Sequence, residues 1–232
     1  QEGDLAGVGL GGGDLTGWKF AGKNLTKASL YSANLTAVNL SNANLTNANL
    51  SGARLTGASL NGAEIRGADL RGMLGFAAAQ LYSTASYQAK DMNHTLFCSS
   101  YISYFDGWNF AGQNLTGANF SQANLTRAYL RGAALTNAVL TGANVQGADL
   151  GEAGTGLTAA QLYSTASYQT GDLSGLGLYS NNLTGWNFAG KKLTLAYLGN
   201  ANLTNANLAG ANLEGASFGY ANMTNANLSG AI

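Results

Sequence analysis

Proline is absent from this chain, and cysteine and histidine occur once each, as Cys98 and His94. Without proline no backbone N–H is withheld, which suits a chain whose every segment joins a hydrogen-bonded ladder. One cysteine excludes an intramolecular disulfide framework. One histidine makes any Ser-His-Asp or Cys-His arrangement depend on a single residue. His94 and Cys98 also fall short of the three or four ligands that a metal site takes. Charge is scarce as well: 9% of residues, eleven basic against eleven acidic, where an average globular chain carries about 25%. No Lys/Arg cluster stands out, which argues against nucleic acid or an anionic membrane as partner. No apolar run is long enough to span a bilayer. The glycine-rich Gly9 to Gly13 lacks the Lys-Ser/Thr of a phosphate loop. Glu64, Asp69, Asp149 and Glu152 lack apolar neighbours that would perturb a catalytic carboxyl. The expectation is a protein without catalytic residues, cofactor, metal or small-molecule substrate.

What is abundant is a beat. Leu35, Leu40, Leu45, Leu50, Leu55, Leu60, Ile65 and Leu70 fall on every fifth residue. Two places before each stands a small apolar residue, among them Ala33, Val38, Ala43 and Ala48. A period of five matches neither the 3.6 of a helix nor the 2 of a strand, so it reads as a repeat. If every leucine points inward, the chain turns by a constant angle every five residues. A quarter turn each time closes a square coil after four units, and coils stack at the roughly 4.8 Å of paired strands. Leucines then line the interior, the small residues fill the corners, and Asn, Asp and Gly serve the tight turns. Such a solenoid builds its core by stacking, so no unit folds alone.

The segment Ala43-Asn44-Leu45-Thr46-Asn47-Ala48-Asn49-Leu50-Ser51-Gly52 resembles the pentapeptide-repeat family, whose pattern is Ala-(Asn/Asp)-Leu-x-x. The resemblance covers about three quarters of the chain. It implies an all-β fold, a right-handed quadrilateral β-helix. It says little of function, since the family includes gyrase-protecting and cyanobacterial proteins and many of unknown role.

The array breaks twice. Residues 76–88, ending Gln-Leu-Tyr-Ser-Thr-Ala-Ser-Tyr-Gln, recur at 157–169, displaced by 81. Thr158 with Gln161 reads as a capping box before a short helix; Ala77 stands where Thr158 does, so the first copy is more poorly capped. Leu81, Leu162, Tyr87 and Tyr168 are expected to pack back on the solenoid. A Gly-Trp-Asn-Phe-Ala-Gly segment follows each break, at Gly107 to Gly112 and Gly185 to Gly190, with a variant at Gly17 to Gly22. The chain therefore reads as one continuous solenoid, 1–232, of three modules: 1–88, 89–169 and an incomplete 170–232, interrupted by two short helical segments. The Tyr-Ser-Thr-Ala-Ser-Tyr modules resemble those of exported bacterial pentapeptide-repeat proteins. The repeat is in register by Leu5 with no methionine before Gln1. Either a mature end left by signal cleavage or an excerpt from a longer protein reads this way.

Three surface features bear on function. Lys90 to Asp106 is three residues longer than its counterpart. It reads as a bulged, aromatic-rich loop whose His94, Phe97, Cys98, Tyr101 and Tyr104 would meet a partner, with Cys98 available for an intermolecular disulfide. Asn-x-Ser/Thr triplets, which the repeat formula itself generates, occur at Asn24, Asn34, Asn44, Asn114, Asn124, Asn202 and Asn222, among others. In a secreted protein these would be glycan acceptors. Finally, the beat runs from Leu5, Leu10 and Leu15 to Met223 and Leu228, with Ala231 and Ile232 closing in register, without polar caps, and these residues are the candidate stacking ends. Open terminal coils expose unpaired backbone and apolar surface, and stacking of one end on another propagates as a filament. The functional expectation is a non-enzymatic extracellular or cell-surface rod whose partner is itself. Alternatives are a monomeric scaffold displaying residues 90–106 and, against the balanced charge, a gyrase-protecting DNA mimic.

Overall fold

The structure, a computed structural model, describes residues 4–97, 105–152 and 156–232. It divides into two units: Gln1–Ser103 with Gln113–Phe120, and Tyr104–Gly112 with Ser121–Ile232.

In the first unit the ladder consists of single parallel bridges between residues twenty apart, from Asp4 with Asn24 to Asn49 with Asp69. Each five-residue side thus contributes one bridging residue, and four sides complete a coil. The hydrogen bonds follow the same step. Leu25 N–H donates to the Asn44 carbonyl at 2.7 Å, and Asn44 N–H donates to the Lys23 carbonyl at 2.9 Å. The corner between them is a turn in which Ala28 N–H donates to the Leu25 carbonyl at 2.9 Å. That turn requires left-handed backbone two residues after each beat, with φ of +57° at Asn42 and Asn47. Asparagine tolerates this region, which explains its frequency there. Leu35, Leu40, Leu45 and Leu50 are fully buried, as are Ala33, Ala43 and Ala48. Each buried leucine contributes about 1.5–3 kcal/mol.

Helices α1 (Ala78–Tyr82) and α2 (Ala85–Gln88) interrupt this unit. The sequence predicts one helical segment here, and the structure divides it in two. The Thr84 hydroxyl accepts from Tyr87 N–H at 3.2 Å and so starts a second helix. The insertion lengthens the step, so that Asp69 bridges Leu96, twenty-seven residues on. The pair remains tied to the coil. Gln80 donates to the carbonyls of Leu55 and Ala58, each at 2.8 Å. Ser86 Oγ accepts from Ile65 N–H at 2.8 Å, standing in for the carbonyl of a following coil. Leu81 is fully buried and Tyr87 half-buried, as the sequence predicts.

The second unit repeats these relations. Leu125 N–H donates to the Asn144 carbonyl at 2.8 Å, and Asn144 N–H to the Ala123 carbonyl at 2.9 Å. Helices α3 (Ala159–Tyr163) and α4 (Ala166–Thr170) again form a pair. Asp149 now bridges Gly177, a step of twenty-eight, and steps of twenty resume at Gly177 with Tyr197. The capping box is complete in α3, where Thr158 Oγ1 accepts from Gln161 N–H at 3.2 Å and Gln161 Oε1 from Thr158 N–H at 2.8 Å. In α1 only the second half exists, Ala77 N–H donating to Gln80 Oε1 at 2.7 Å. No helix is long and apolar enough to cross a membrane among the described residues.

Candidate functional site

The aromatic segment after α2 is only partly a surface loop. Asp91 bridges Asn114 and Leu96 bridges Asn119, a step of twenty-three that absorbs the three extra residues. Met92 and Phe97 are five apart and fully buried, so they are beat residues of a resumed coil. The Phe97 ring stacks on Phe120 with centroids 4.8 Å apart and 6° between planes. Phe97 is therefore a core residue of its unit and not a partner contact. The beat signal was present in its spacing from Met92, hidden by the density of aromatics around it. His94 is exposed and occupies the left-handed turn position, with φ +54°, its N–H donating to the Thr116 carbonyl at 2.9 Å. Cys98, Tyr101 and Tyr104 lie outside the described residues. Among the described residues no three His, Cys, Asp or Glu side chains gather as metal ligands.

The asparagines of the Asn-x-Ser/Thr triplets sit at the bridging positions. Asn24, Asn34, Asn44, Asn114, Asn124, Asn202 and Asn222 each accept, through Oδ1, the N–H of the residue two places on, at 3.0–3.2 Å. In four of them the threonine hydroxyl donates to the same oxygen at 2.5–2.7 Å. These side chains thus brace the turn, a role that follows from the repeat itself.

Some charged groups pair across single coil steps, while Arg66 with Glu64 and Arg71 with Asp69 pair two residues apart. Arg127 donates to both carboxylate oxygens of Asp106, at 2.9 and 2.5 Å, and Arg131 likewise to Glu152, at 3.0 and 2.7 Å. These hydrogen bonds hold both carboxyls below the usual carboxylate range. Hydrogen bonding to Thr16 and Ser174 lowers Asp14 and Asp172 in the same sense. None of these carboxyls is buried, so each pairing is worth little.

The coil ends are different. Leu5 and Leu10 are half-buried, although Leu25 and Leu30, one coil on, are fully buried. In the second unit Leu203 and Leu208 are fully buried, Met223 is half-buried, Leu228 is 41% exposed and Ile232 83% exposed. Leu15 is covered. The N–H groups of Phe218, Met223 and Leu228, whose counterparts at Leu198, Leu203 and Leu208 donate to Ser217, Asn222 and Asn227, have no next coil among the described residues.

The profile of pentapeptide repeats matches in eight copies, over residues 4–46, 33–72, 103–142, 118–153 and 192–232, which is most of the chain. The chain belongs to the pentapeptide-repeat family. No curated protein matches its sequence. Among solved structures of this family, QnrB1, a plasmid-mediated fluoroquinolone resistance protein, aligns with 99% of this chain and 93% of its own at 14% identity and a TM-score of 0.29. HetL from Nostoc sp. strain PCC 7120, involved in heterocyst differentiation regulation, aligns with 99% and 88% at 23% identity and a TM-score of 0.20. A pentapeptide repeat protein from the cyanobacterium Cyanothece 51142 aligns with 62% and 84% at 24% identity and a TM-score of 0.25. Scores this low carry no argument, and the family assignment rests on the repeat.

Proposed function

We propose that this pentapeptide-repeat protein is a non-enzymatic structural scaffold whose copies associate end to end, the last coil of one meeting the first coil of the next. The observation that carries this reading is the pair of open coil faces. Beat residues that are sealed one coil inward, Leu208 and Leu25 and Leu30, have counterparts that are exposed at Leu228 and half-exposed at Leu5 and Leu10, and the bridging residue Ile232 is exposed beside Leu228. A second copy would cover both the apolar residues and the free backbone groups, as paired coils do inside each unit. The sparse, balanced charge leaves little repulsion between like ends. The coil is right-handed in this reading, as in the family, and the repeated helical breaks mark three modules, 1–88, 89–169 and 170–232. The resemblance of those breaks to exported bacterial proteins supports a cell-surface or extracellular location, where the bridging asparagines would meet glycosylating enzymes.

A second reading is a monomeric scaffold displaying residues 90–106 to a protein partner. The burial of Phe97 takes it out of that surface and leaves His94 exposed. A DNA mimic that protects gyrase would need an acidic surface, against which the balanced charge counts.

The test is sedimentation velocity and negative-stain microscopy of the wild type beside a Leu228→Lys/Ile232→Lys variant and a His94→Ala variant. The proposal expects concentration-dependent assemblies in the wild type and in His94→Ala, and monomers in the double lysine variant. A monomeric wild type overturns it, whether the end is bare or covered by further chain, as do assemblies that survive the lysines.

A further inference from the structure

The stacked surface of the second unit is broken at one place. Along one side, Tyr129 bridges Asp149, Asp149 bridges Gly177, and Gly177 bridges Tyr197. Most bridging positions carry an outward side chain, commonly asparagine, but Gly177 carries none. Gly147, Ala148 and Gly175 add to the bare floor, and the result is a cleft of about 260 Å³ lined also by Asp149, Tyr179 and Tyr197. Its walls are aromatic. Tyr197 is 59% exposed. Tyr179 lies across Gly151, where an added Cβ would stand 2.3 Å from the ring. The Tyr179 hydroxyl donates to Asp149 Oδ2 at 3.3 Å, and Gly151 N–H donates to Oδ1 at 2.9 Å.

Charge decides what fits. Two carboxylates are near, but Glu152 holds the Arg131 guanidinium at 2.7 and 3.0 Å. That leaves Asp149 as the charged residue lining the cleft, with no lysine or arginine in the lining. The Tyr179 ring already takes a cation, the Arg131 guanidinium 5.3 Å from its centroid. A carboxylate lining a cleft with two tyrosines over an apolar floor is complementary to an alkylated ammonium, through Coulomb attraction and cation–π contact. A sugar ring fits less well: its hydroxyls would face Gly147, Ala148 and Gly175, which offer no side-chain partners.

We propose that this cleft binds a small organic cation of the alkylammonium class, with Asp149 as counter-ion and Tyr179 and Tyr197 as walls. The site adds a ligand where the sequence suggests none, and it is independent of end-to-end association. Asp149→Asn and Tyr197→Ala test it without entering the core. Asn stands at the equivalent bridging position in many coils and accepts the same turn N–H, so Asp149→Asn keeps the bond to Gly151. Tyr197 is exposed, so Tyr197→Ala leaves the core untouched. Gly177→Ala fills the floor, its Cβ meeting Asp149 Oδ1 at 3.1 Å.

The experiment is NMR titration of the intact protein with choline, with its neutral isostere 3,3-dimethylbutan-1-ol and with methyl glucoside. The expected result is saturable binding of choline in the millimolar range, at least about tenfold weaker binding of the neutral isostere, and a comparable loss in Asp149→Asn and Tyr197→Ala. Equal binding of choline and its isostere overturns the proposal in favour of a merely apolar slot. So does preferential binding of the glucoside, choline binding that both variants leave unchanged, or no choline binding up to about 0.1 M, a limit near 1.4 kcal/mol of affinity.

Discussion

At the scale of the residue, the positions that matter most are small in chemical variety. Leu45 is sealed between coils above and below it, so Leu45→Ala is expected to cost about 2–5 kcal/mol through lost contact and a residual cavity. Urea denaturation followed by circular dichroism checks this, and a cost below about 1 kcal/mol would mean that the stack can collapse around the loss. The turn position offers the opposite sign. Leu195 holds φ at +59° and is 62% exposed, a poor match of residue to backbone. Leu195→Asn is expected to stabilise the protein by about 0.5–1 kcal/mol on the same assay. Which residues form the core was legible from the beat alone, because spacing five fixes the inward face. What was not legible was Phe97. Its beat partner Met92 was masked by neighbouring aromatics, and its burial depends on Phe120, brought beside it only by a step of twenty-three.

At the scale of the element, the helix pairs α1–α2 and α3–α4 form a controlled comparison written into one chain. Their sequences differ at the first cap, Ala77 against Thr158, and at the far end, Ala89 against Thr170, while the tethering glutamines Gln80 and Gln161 make the same two 2.8 Å bonds. Ala77→Thr is expected to stabilise the first pair, and Thr158→Ala to destabilise the second, by about 1 kcal/mol each, read as hydrogen-exchange protection within each pair. The capping box was legible as a motif; the division of each segment into two helices was not, because it turns on whether the Thr84 and Thr165 hydroxyls point back at their own backbone. Exposed carboxyls make a small contribution to the pH dependence of stability. Asp106, Glu152, Asp14 and Asp172 ionise below the usual carboxylate range when folded. Their contribution is present above that range and is lost as pH falls through it into their lowered folded values. Thermal melts should therefore show stability flat near neutrality and declining below about pH 4, more shallowly for Arg127→Ala.

At the scale of the whole molecule, the features that decide behaviour are the uniform period and the near absence of charge. The period makes each coil a template for the next. The charge balance of eleven against eleven leaves association to apolar burial and backbone pairing. Self-association is accordingly expected to survive raising the salt from about 0.05 to about 1 M, where screened ionic contacts would weaken. The cleft beside Asp149 belongs to this scale too. It arises because α3 and α4 shift the register to twenty-eight, setting Gly177 against Asp149. A reading of consecutive fives could not foresee which residues that shift would bring together.

Cryo-electron microscopy of the natively isolated protein tests the central claim most directly. Expected are filaments in which copies join end to end and the ladder continues between them at roughly 4.8 Å per step. Isolated particles whose terminal coils face solvent, or assemblies joined through any other surface, would contradict it.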